Sequence, residues 1–399
     1  MRIVFVNRYF WPDESATAQL LSDLSFYLSE HGHEVTVITG QSGYRDAESV
    51  FPPEEKHRGV QILRAGGSRS GRVSLGAKLL DFTSFLIGAL PIIRRESRKA
   101  DWLVSLTDPP MLSSLTSFFI HKTCKRATWC MDLFPEIATL YSRSLIIRLA
   151  GKLLKPLRDA TFRKQDALIA LGKDMENYLV SLGIPNTSIF TIRTWGLEEL
   201  EASDSDAIRA FKKAEGIKDG FIVGYSGNLG RVHEPNTVAQ AVESMPEEWP
   251  GQFLFYAAGR NLARFESSPG QSIQPWIDIR PPCPRSDLNA ALAAPDVHWF
   301  SLFPHFSDFV FPSKFAGILA AGKPVLFVGK EGCEIFDMIK DSGCGFAIHA
   351  GDHQGFIEAV ETLREQEALR IKMGRASRIL FEKEFRFESA MERWMTLFV

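Results

Sequence analysis

Cysteine is scarce in this chain, and its five copies are scattered. They are odd in number and include no CxxC pair. This usage argues against a zinc cage and against a disulfide framework, and it predicts reduced thiols in the cytoplasm. The five are Cys124, Cys130, Cys283, Cys333 and Cys344.

Long apolar runs and an excess of one charge are also missing. The longest apolar run, Phe82–Ile93, is interrupted by Thr83, Ser84 and Pro91 and is too short to span a bilayer. The N-terminus enters a strand-like segment at once and lacks the apolar core of a signal peptide. The formal net charge of −2 gives no general attraction to nucleic acid. We therefore expect a cytoplasmic protein that does not cross a membrane and does not bind nucleic acid.

The order of the predicted elements indicates an α/β protein. The 399 residues are enough for two domains, and a composition of 45% apolar and 24% charged residues is typical of globular proteins. Short β-rich runs alternate with helical patterns such as Ala16–Glu30, which predicts parallel sheets covered on both faces. The predicted strands are Ile3–Val6, Glu34–Thr39, Val60–Arg64, Trp102–Leu106, Thr128–Met131, Ala167–Leu171 and Ser188–Ile192, then Phe221–Tyr225, Gln252–Ala257, Val297–Ser301, Pro324–Val328 and Gly345–Ile348.

A polar segment, Glu198–Gly220, separates the two series of strands. We expect two doubly wound, Rossmann-like domains facing each other across a cleft, one over residues 1–197 and one over residues 198–380. Ligands of open parallel sheets bind beyond the carboxyl ends of the strands. The loops after strands are therefore the first places to look for a site.

The segment from Phe311 to Val325 is the most informative of these loops. It predicts a short helix that begins at Pro312 and ends at Gly322, where the left-handed conformation closes a helix. The first turn would present free N–H groups, the Ser313 hydroxyl and the Lys314 ammonium to one point, which suits an anion. The alternative is a capped core helix with a solvated lysine.

The second series opens with a strand followed by a glycine-rich turn. Gly227 and Gly230 would let the backbone approach a phosphate closely, Asn228 lies between them, and Arg231 could grip phosphate oxygens. The glycines also fit a loose dinucleotide-binding pattern. However, the next strand ends at Gly259 without an acidic residue for a ribose hydroxyl, which disfavours a nicotinamide cofactor. The remaining alternative is a tight turn with a surface arginine.

Acidic and small residues follow two strands of the first series. Asp132 comes directly after a strand and could position or deprotonate a substrate hydroxyl, with Glu136 one turn onward as a helper. Ser15 and Ala16 begin the first helix and could offer N–H groups to a ligand. For Asp132 and Ser15 the alternative is plain helix capping.

Two basic clusters indicate a possible surface site. Arg94–Lys99 follows the longest apolar run, and Arg143–Lys164 contains seven basic residues against one acid. Stretches of this kind can lie on anionic lipid. We expect Pro156 to divide the second cluster into two helices. The alternative is a solvated basic face over a buried apolar stripe.

The whole chain resembles the retaining glycosyltransferases of family four (group one), which have the GT-B fold. The resemblance lies in Tyr9–Pro12, His31–Thr39, Asp132–Glu136 and Pro312–Pro324, and the last two segments are similar to the WbuB-like subgroup. It implies transfer of a sugar from a nucleotide diphosphate donor, usually UDP-linked and bound mainly by the C-terminal domain, without a metal or other cofactor. It also implies that residues 381–399 pack back on the N-terminal domain.

Several positions depart from the pattern of that family. Phe309 and Gly317 stand where many members have two glutamates. Asn228 and His233 replace a usual Arg and Lys pair, so that Arg231 is the local strong cation. The loop Glu14–Thr17 contains no glycine, and a histidine often seen near residues 130–132 is absent.

The predicted function is transfer of a sugar to a hydroxyl of a membrane-associated glycan or lipid-linked acceptor during surface polysaccharide synthesis, with retention. Arg231 and Lys314 would stabilise the leaving diphosphate. Asp132 would act on the acceptor. Glu334, at a helix start, would bind sugar or ribose hydroxyls or else only cap that helix. The alternatives are an epimerase acting on nucleotide sugars, an NAD-linked oxidoreductase, or a non-catalytic nucleotide-binding or glycan-binding subunit.

Overall fold

The computed structural model describes residues 1–43, 51–66, 75–196, 205–266 and 274–398. The chain forms two compact units. The first contains Met1–Arg193, Phe309–Phe311 and Ala390–Val399, and the second contains Thr194–Asp308 and Pro312–Ser389. The predicted boundary between residues 197 and 198 lies outside the described residues.

The first unit is built on an eight-stranded sheet in the order β3-β4-β2-β1-β5-β6-β7-β8. All neighbouring strands are parallel except β3 and β4. The strands are β1 (Arg2–Val6), β2 (Glu34–Thr39), β3 (Glu54–His57), β4 (Val60–Arg64), β5 (Trp102–Leu106), β6 (Lys125–Trp129), β7 (Ala167–Ala170) and β8 (Ile189–Thr191). The helices are α1 (Ala16–Glu30), α2 (Leu75–Glu96), α3 (Leu112–Thr116), α4 (Glu136–Tyr141), α5 (Leu145–Phe162) and α6 (Lys173–Ser181).

The second unit is built on a six-stranded parallel sheet in the order β11-β10-β9-β12-β13-β14. Its strands are β9 (Phe221–Asn228), β10 (Gly251–Ala258), β11 (Ile277–Arg280), β12 (Val297–Ser301), β13 (Val325–Gly329) and β14 (Gly345–His349). The helices are α7 (Ser205–Ala214), α8 (Asn236–Ser244), α9 (Leu288–Ala293), α10 (Lys314–Ala320), α11 (Glu334–Ser342), α12 (His353–Glu365) and α13 (Glu367–Glu384).

The central strands are buried on both faces, as expected of parallel sheets with helices on each side. Every residue of β5, β12 and β13 is buried. The two strands that the sequence did not reveal, β3 and β11, both lie at sheet edges. Their charged sequences, EEKH and IDIR, give no apolar run to recognise. Charged side chains are typical of edge strands, where they oppose pairing with another chain.

The last helix, α14 (Phe387–Leu397), contributes to the core of the first unit. From Ala390 onward its residues belong to that unit. The rings of Trp394 and Trp129 meet edge to face with centroids 4.9 Å apart, and the Phe398 ring lies 6.5 Å from that of Phe5.

The expectation that Pro156 divides the basic segment into two helices is wrong. Helix α5 runs through Pro156 without a break. Proline leaves the carbonyl group four residues earlier without its helical partner. That residue is Lys152, which is exposed, so water can satisfy its carbonyl oxygen.

No helix within the described ranges combines the length and the apolar character needed to cross a bilayer.

Candidate functional site

The strand order of the second unit creates a crevice between β9 and β12. The chain runs outward from β9 through β10 to β11, returns to β12 on the other side of β9, and continues outward to β14. Helices on opposite faces separate at such a reversal, and ligands bind beyond the carboxyl ends of the two strands. The loops that follow β9 and β12 are therefore the expected ligand-binding segments of this unit.

His233 and Lys314 join these two loops. His233 follows β9, is 6% exposed, and its Nδ1 lies 2.6 Å from the carbonyl oxygen of Ser301, the last residue of β12. Since a carbonyl oxygen only accepts, Nδ1 carries the proton. Nε2 is then an acceptor, and Lys314 Nζ lies 3.0 Å from it. The backbone of β12 thus fixes the tautomer that holds the lysine.

Gly227 makes room for this lysine. Its φ of +108° lies in the region that favours glycine, and an added Cβ would lie 3.2 Å from Lys314 Cε. Lys314 Nζ also lies 5.5 Å from the centre of the Tyr225 ring, within cation–π distance. A glycine and an aromatic residue of β9 therefore define where the ammonium group sits.

The electrostatic environment keeps His233 neutral and brings the pKa of Lys314 close to neutral pH. Burial, the Lys314 charge and, in the opposite sense, the bond to Ser301 together lower the pKa of His233 to about 3. The surrounding protein lowers the pKa of Lys314 to about 8, although part of the side chain remains accessible. At neutral pH the pair is thus an ammonium ion on a neutral imidazole. Lysine carries three N–H donors, so two remain beside the one used by His233.

The loop that carries His233 is itself held in place. The Asn261 side chain donates to the carbonyl oxygens of Gly230 and His233 at 2.8 and 3.0 Å. Arg231 lies between these two residues and is exposed, and Asn228 is the exposed last residue of β9. The structure therefore brings His233 and Lys314 into contact, and places Arg231 and Asn228 on the same loop at the same sheet edge.

Two further predicted residues begin helices at this edge. Ser313 is exposed and precedes α10, but its hydroxyl forms no capping bond, and α10 has only seven residues. The predicted anion site therefore depends on the Lys314 side chain more than on the helix start. Glu334 is the half-buried first residue of α11, where a negative charge favours the helix N-terminus.

Asp132 follows β6 at the carboxyl edge of the first sheet. The hydroxyl of Thr107 accepts bonds from the backbone N–H groups of Met131 and Asp132, at 3.2 and 3.1 Å. Asp132 is exposed, yet the protein surrounding its carboxyl group, and then the charge of the neighbouring Asp108, raise the pKa of Asp132 to about 6. Helix α4 begins at Glu136 and its cap is Pro135, so Asp132 is not a helix cap.

Glu136 occupies a different environment from the predicted one. Its side chain is 7% exposed and pairs with the guanidinium of Arg158 and the hydroxyl of Tyr178. Lys155 Nζ lies 3.6 Å from the same carboxylate. This ion-pair cluster ties α4, α5 and α6 together. A structural role for Glu136 accounts for these contacts, whereas a helper beside Asp132 would need an accessible carboxylate.

Ser15 and Ala16 lie at the start of α1, after β1. Ser15 is at the cap position, yet its hydroxyl makes no capping bond. The Ser15 Oγ atom is buried and has no hydrogen-bond partner among the described residues. The capping alternative therefore does not explain this side chain, and the ligand role of Ser15 and Ala16 stays a prediction.

The aromatic ring of Phe309 packs inside the first unit. The residue belongs to the first unit, where its carbonyl oxygen accepts a bond from the Leu133 N–H at 3.1 Å. The ring meets that of Tyr178 edge to face at 4.8 Å. Phe309, at a position where the sequence resemblance implies a glutamate, is therefore part of the apolar core.

The described residues include no group of three or more His, Cys, Asp or Glu side chains arranged to hold a metal ion.

Comparison with solved structures establishes the fold. WaaG, a glycosyltransferase involved in lipopolysaccharide biosynthesis, is 14% identical and superposes with a TM-score of 0.70 over 98% of each chain. HepE of Anabaena in complex with UDP gives a TM-score of 0.70 at 12% identity over 100% of this chain and 99% of HepE. The chain has the GT-B fold.

Comparison with curated proteins points to the same group of enzymes. The probable glycosyltransferase WbjE of Pseudomonas aeruginosa is 22% identical over 369 residues, 91% of this chain and 90% of WbjE. The putative colanic acid biosynthesis glycosyl transferase WcaI of Escherichia coli K12 is 21% identical over 336 residues, 81% of this chain and 82% of WcaI. No protein-family model matches the chain. These likenesses support a glycosyltransferase of the GT-B fold that acts in polysaccharide biosynthesis.

Proposed function

We propose that this protein is a retaining glycosyltransferase of family four that moves a hexose from a UDP-linked donor to a hydroxyl of a membrane-associated glycan or lipid-linked acceptor. The observation that carries the proposal is the Lys314–His233 pair beyond the carboxyl ends of β9 and β12. The likeness to HepE, which was solved with UDP, agrees with a nucleotide diphosphate as the ligand.

In the proposed reaction the bond between the anomeric carbon and the diphosphate oxygen breaks, and the electron pair stays on the diphosphate. Lys314 donates its two remaining N–H groups to the phosphate oxygens. Because His233 already fixes the ammonium group, little reorganisation is needed as negative charge develops. Arg231 supplies a second cation from the loop after β9. In this proposal these two side chains perform the charge neutralisation, and no metal is required.

The acceptor hydroxyl forms the new bond to the anomeric carbon and loses its proton. We assign that proton to Asp132, whose pKa of about 6 suits a general base near neutral pH. The product keeps the anomeric configuration of the donor, because in this proposal the acceptor oxygen attacks the face of the sugar ring from which the diphosphate departs. Asp132 touches the acceptor in this proposal, whereas Glu136 holds the helices around it.

Calorimetric titration with UDP and turnover with a panel of UDP-sugars test the proposal together. We expect UDP to bind the wild type and the Lys314→Ala variant to bind it about tenfold to 150-fold more weakly, which corresponds to ~1.5–3 kcal/mol for a charge-assisted contact. Binding of UDP without transfer from any donor would favour the non-catalytic alternative. Product analysis by NMR then decides between retention and inversion.

A further inference from the structure

Helix α5 (Leu145–Phe162) exposes apolar residues and buries charged and polar ones, the reverse of an ordinary surface helix. A helix on a globular protein buries apolar residues and exposes polar ones. The residues that α5 buries are Gly151, Arg158, Asp159, Thr161 and Phe162. Those that it exposes include Leu145, Ile146, Leu149, Leu153, Leu154 and Leu157.

The exposed fraction of these apolar residues ranges from 37% for Leu157 to 79% for Ile146. Ile146 is 79% exposed, Leu153 78% and Leu145 68%. At helical spacing Leu145, Leu149 and Leu153 follow one another on a single stripe. The buried apolar stripe that the sequence alone allowed as an alternative is therefore absent from this helix.

Charged and polar side chains make many of the contacts between α5 and the rest of its unit. Arg158 is buried between Glu136 and Asp159, and Lys155 Nζ lies 2.9 Å from Asp159 Oδ2. The bonds to Asp159 lie within α5, but Arg158 and Lys155 also pair with Glu136 of α4, and these pairs fix the orientation of the helix, since turning the leucines inward would separate the buried charges from Glu136. The apolar face is thus held outward by the structure.

Basic residues border this apolar face. Arg148 and Lys152 are exposed and lie on the flank between the leucine stripe and the buried side. Arg143, just before the helix, is exposed as well. An outward apolar stripe with cations along its border matches an anionic bilayer surface, into which leucines insert while basic groups meet lipid phosphates.

We propose that α5 is a membrane-docking helix that lies in the plane of an anionic bilayer and inserts Leu145, Leu149 and Leu153. A second copy of the chain is a poorer occupant, because a two-fold contact through this face would bring the Arg148 and Lys152 cations of both copies into the same interface. The inference stands on α5 alone and does not depend on the reaction proposed above. Helix α5 follows α4 and so begins near the sheet edge that carries Asp132, which suits an acceptor held in a membrane.

Flotation with vesicles tests the proposal, using phosphatidylcholine alone and phosphatidylcholine mixed with phosphatidylglycerol. The double variant Leu149→Gln with Leu153→Gln should lose association at low and at high salt. The double variant Arg148→Gln with Lys152→Gln should bind the anionic vesicles about 30-fold more weakly, from about 1 kcal/mol for each basic residue near an anionic surface. Its binding to phosphatidylcholine alone should not change.

Helix α13 of the second unit provides matched controls on a helix of the same length. Ile379 is 66% exposed, and Lys372 and Arg375 are exposed basic residues one turn apart. Ile379→Gln and the double variant Lys372→Gln with Arg375→Gln should float like the wild type.

Three results would overturn the proposal: no flotation of the wild type with anionic vesicles at low salt, equal flotation of the leucine double variant, or equal losses in the α13 controls. Sedimentation velocity without vesicles provides a fourth result that could overturn the proposal. A wild-type dimer that the leucine double variant converts to a monomer would assign the apolar face to a second copy. Thermal melting establishes that each variant is folded.

Discussion

Lys314 in the second unit and Asp132 in the first are ionisable groups at the carboxyl edge of their sheets, but the hydrogen-bond partners of their side chains differ. Lys314 is held on His233 at 3.0 Å, and the imidazole is in turn fixed by the Ser301 carbonyl. The backbone N–H of Asp132 donates to the Thr107 hydroxyl at 3.1 Å, and the neighbouring Leu133 N–H donates to the Phe309 carbonyl oxygen, while no hydrogen bond of the Asp132 carboxylate occurs among the described residues.

The two pKa shifts point in opposite directions but toward the same pH range. The pKa of Lys314 falls to about 8 and that of Asp132 rises to about 6. Between these values the lysine is mainly charged and the carboxylate is mainly ionised. A cation that binds an anion benefits from fixed geometry, whereas a base benefits from a carboxylate that can accept a proton. The comparison therefore supports the proposed roles of Lys314 in donor binding and of Asp132 in proton transfer.

The largest effect is expected from Asp132→Asn. Loss of the base should lower turnover by about 10²- to 10⁴-fold while leaving UDP affinity unchanged. In the wild type, turnover should fall as the pH drops through about 6, since the protonated carboxyl cannot accept a proton. A pH profile measured with purified acceptor checks both points. Unchanged turnover in a folded Asp132→Asn variant would remove this residue from the mechanism.

Lys314→Ala should affect donor binding, the role proposed for the lysine in this comparison. We expect UDP to bind about tenfold to 150-fold more weakly, because a charge-assisted bond is lost. Turnover should fall as well, by about 10²- to 10³-fold, as for the removal of other preorganised donors. Lys372→Ala, at an exposed position of α13, is the matched control and should leave both quantities at the wild-type level.

The pH dependence of UDP binding should report the lysine directly. Since Lys314 is charged below about 8, UDP affinity should fall as the pH rises through that value. One unit above it, binding should be about tenfold weaker, because most of the free protein must first take up a proton. Lys314→Arg keeps its charge and should remove this dependence, but without restoring full affinity, since a planar guanidinium does not fit a site shaped for an ammonium group.

Replacement of His233 should have the smallest effect on UDP affinity. Leucine and glutamine at this position should differ, because only glutamine can accept a hydrogen bond from Lys314. His233→Leu leaves the Lys314 ammonium without its acceptor, so UDP affinity should fall about tenfold and the high-pH loss should begin at lower pH. His233→Gln retains an acceptor oxygen and should fall between the leucine variant and the wild type. Calorimetry over a pH series measures both. Equal affinities in the two variants would mean that His233 does not position the lysine.

Much of the fold was predictable from the sequence, because parallel sheets are marked by apolar runs between helical patterns. β2, β4, β5 and β12 have the predicted bounds. The left-handed Gly322 that ends the helix after Lys314 was also predictable, and its φ is +63°. The edge strands β3 and β11 were not predictable, since charged residues such as theirs are also typical of loops.

The candidate site was predictable only in part, because contacts between distant residues leave no local pattern. The sequence singled out Lys314 by its place in the first turn of a short helix, and Asp132 by its place directly after a strand. The bond from His233 to Ser301 spans 68 residues and that to Lys314 spans 81, so neither could be inferred from spacing. The burial of Glu136 against Arg158, 22 residues away, was hidden for the same reason.

Calorimetric titration with UDP of the wild type, Lys314→Ala and Asp132→Asn tests the central claim most directly. Our account predicts that UDP binds the wild type and Asp132→Asn with equal affinity, and binds Lys314→Ala at least about tenfold more weakly. Equal affinity in the wild type and a folded Lys314→Ala variant, or no binding of UDP to the wild type, would contradict it.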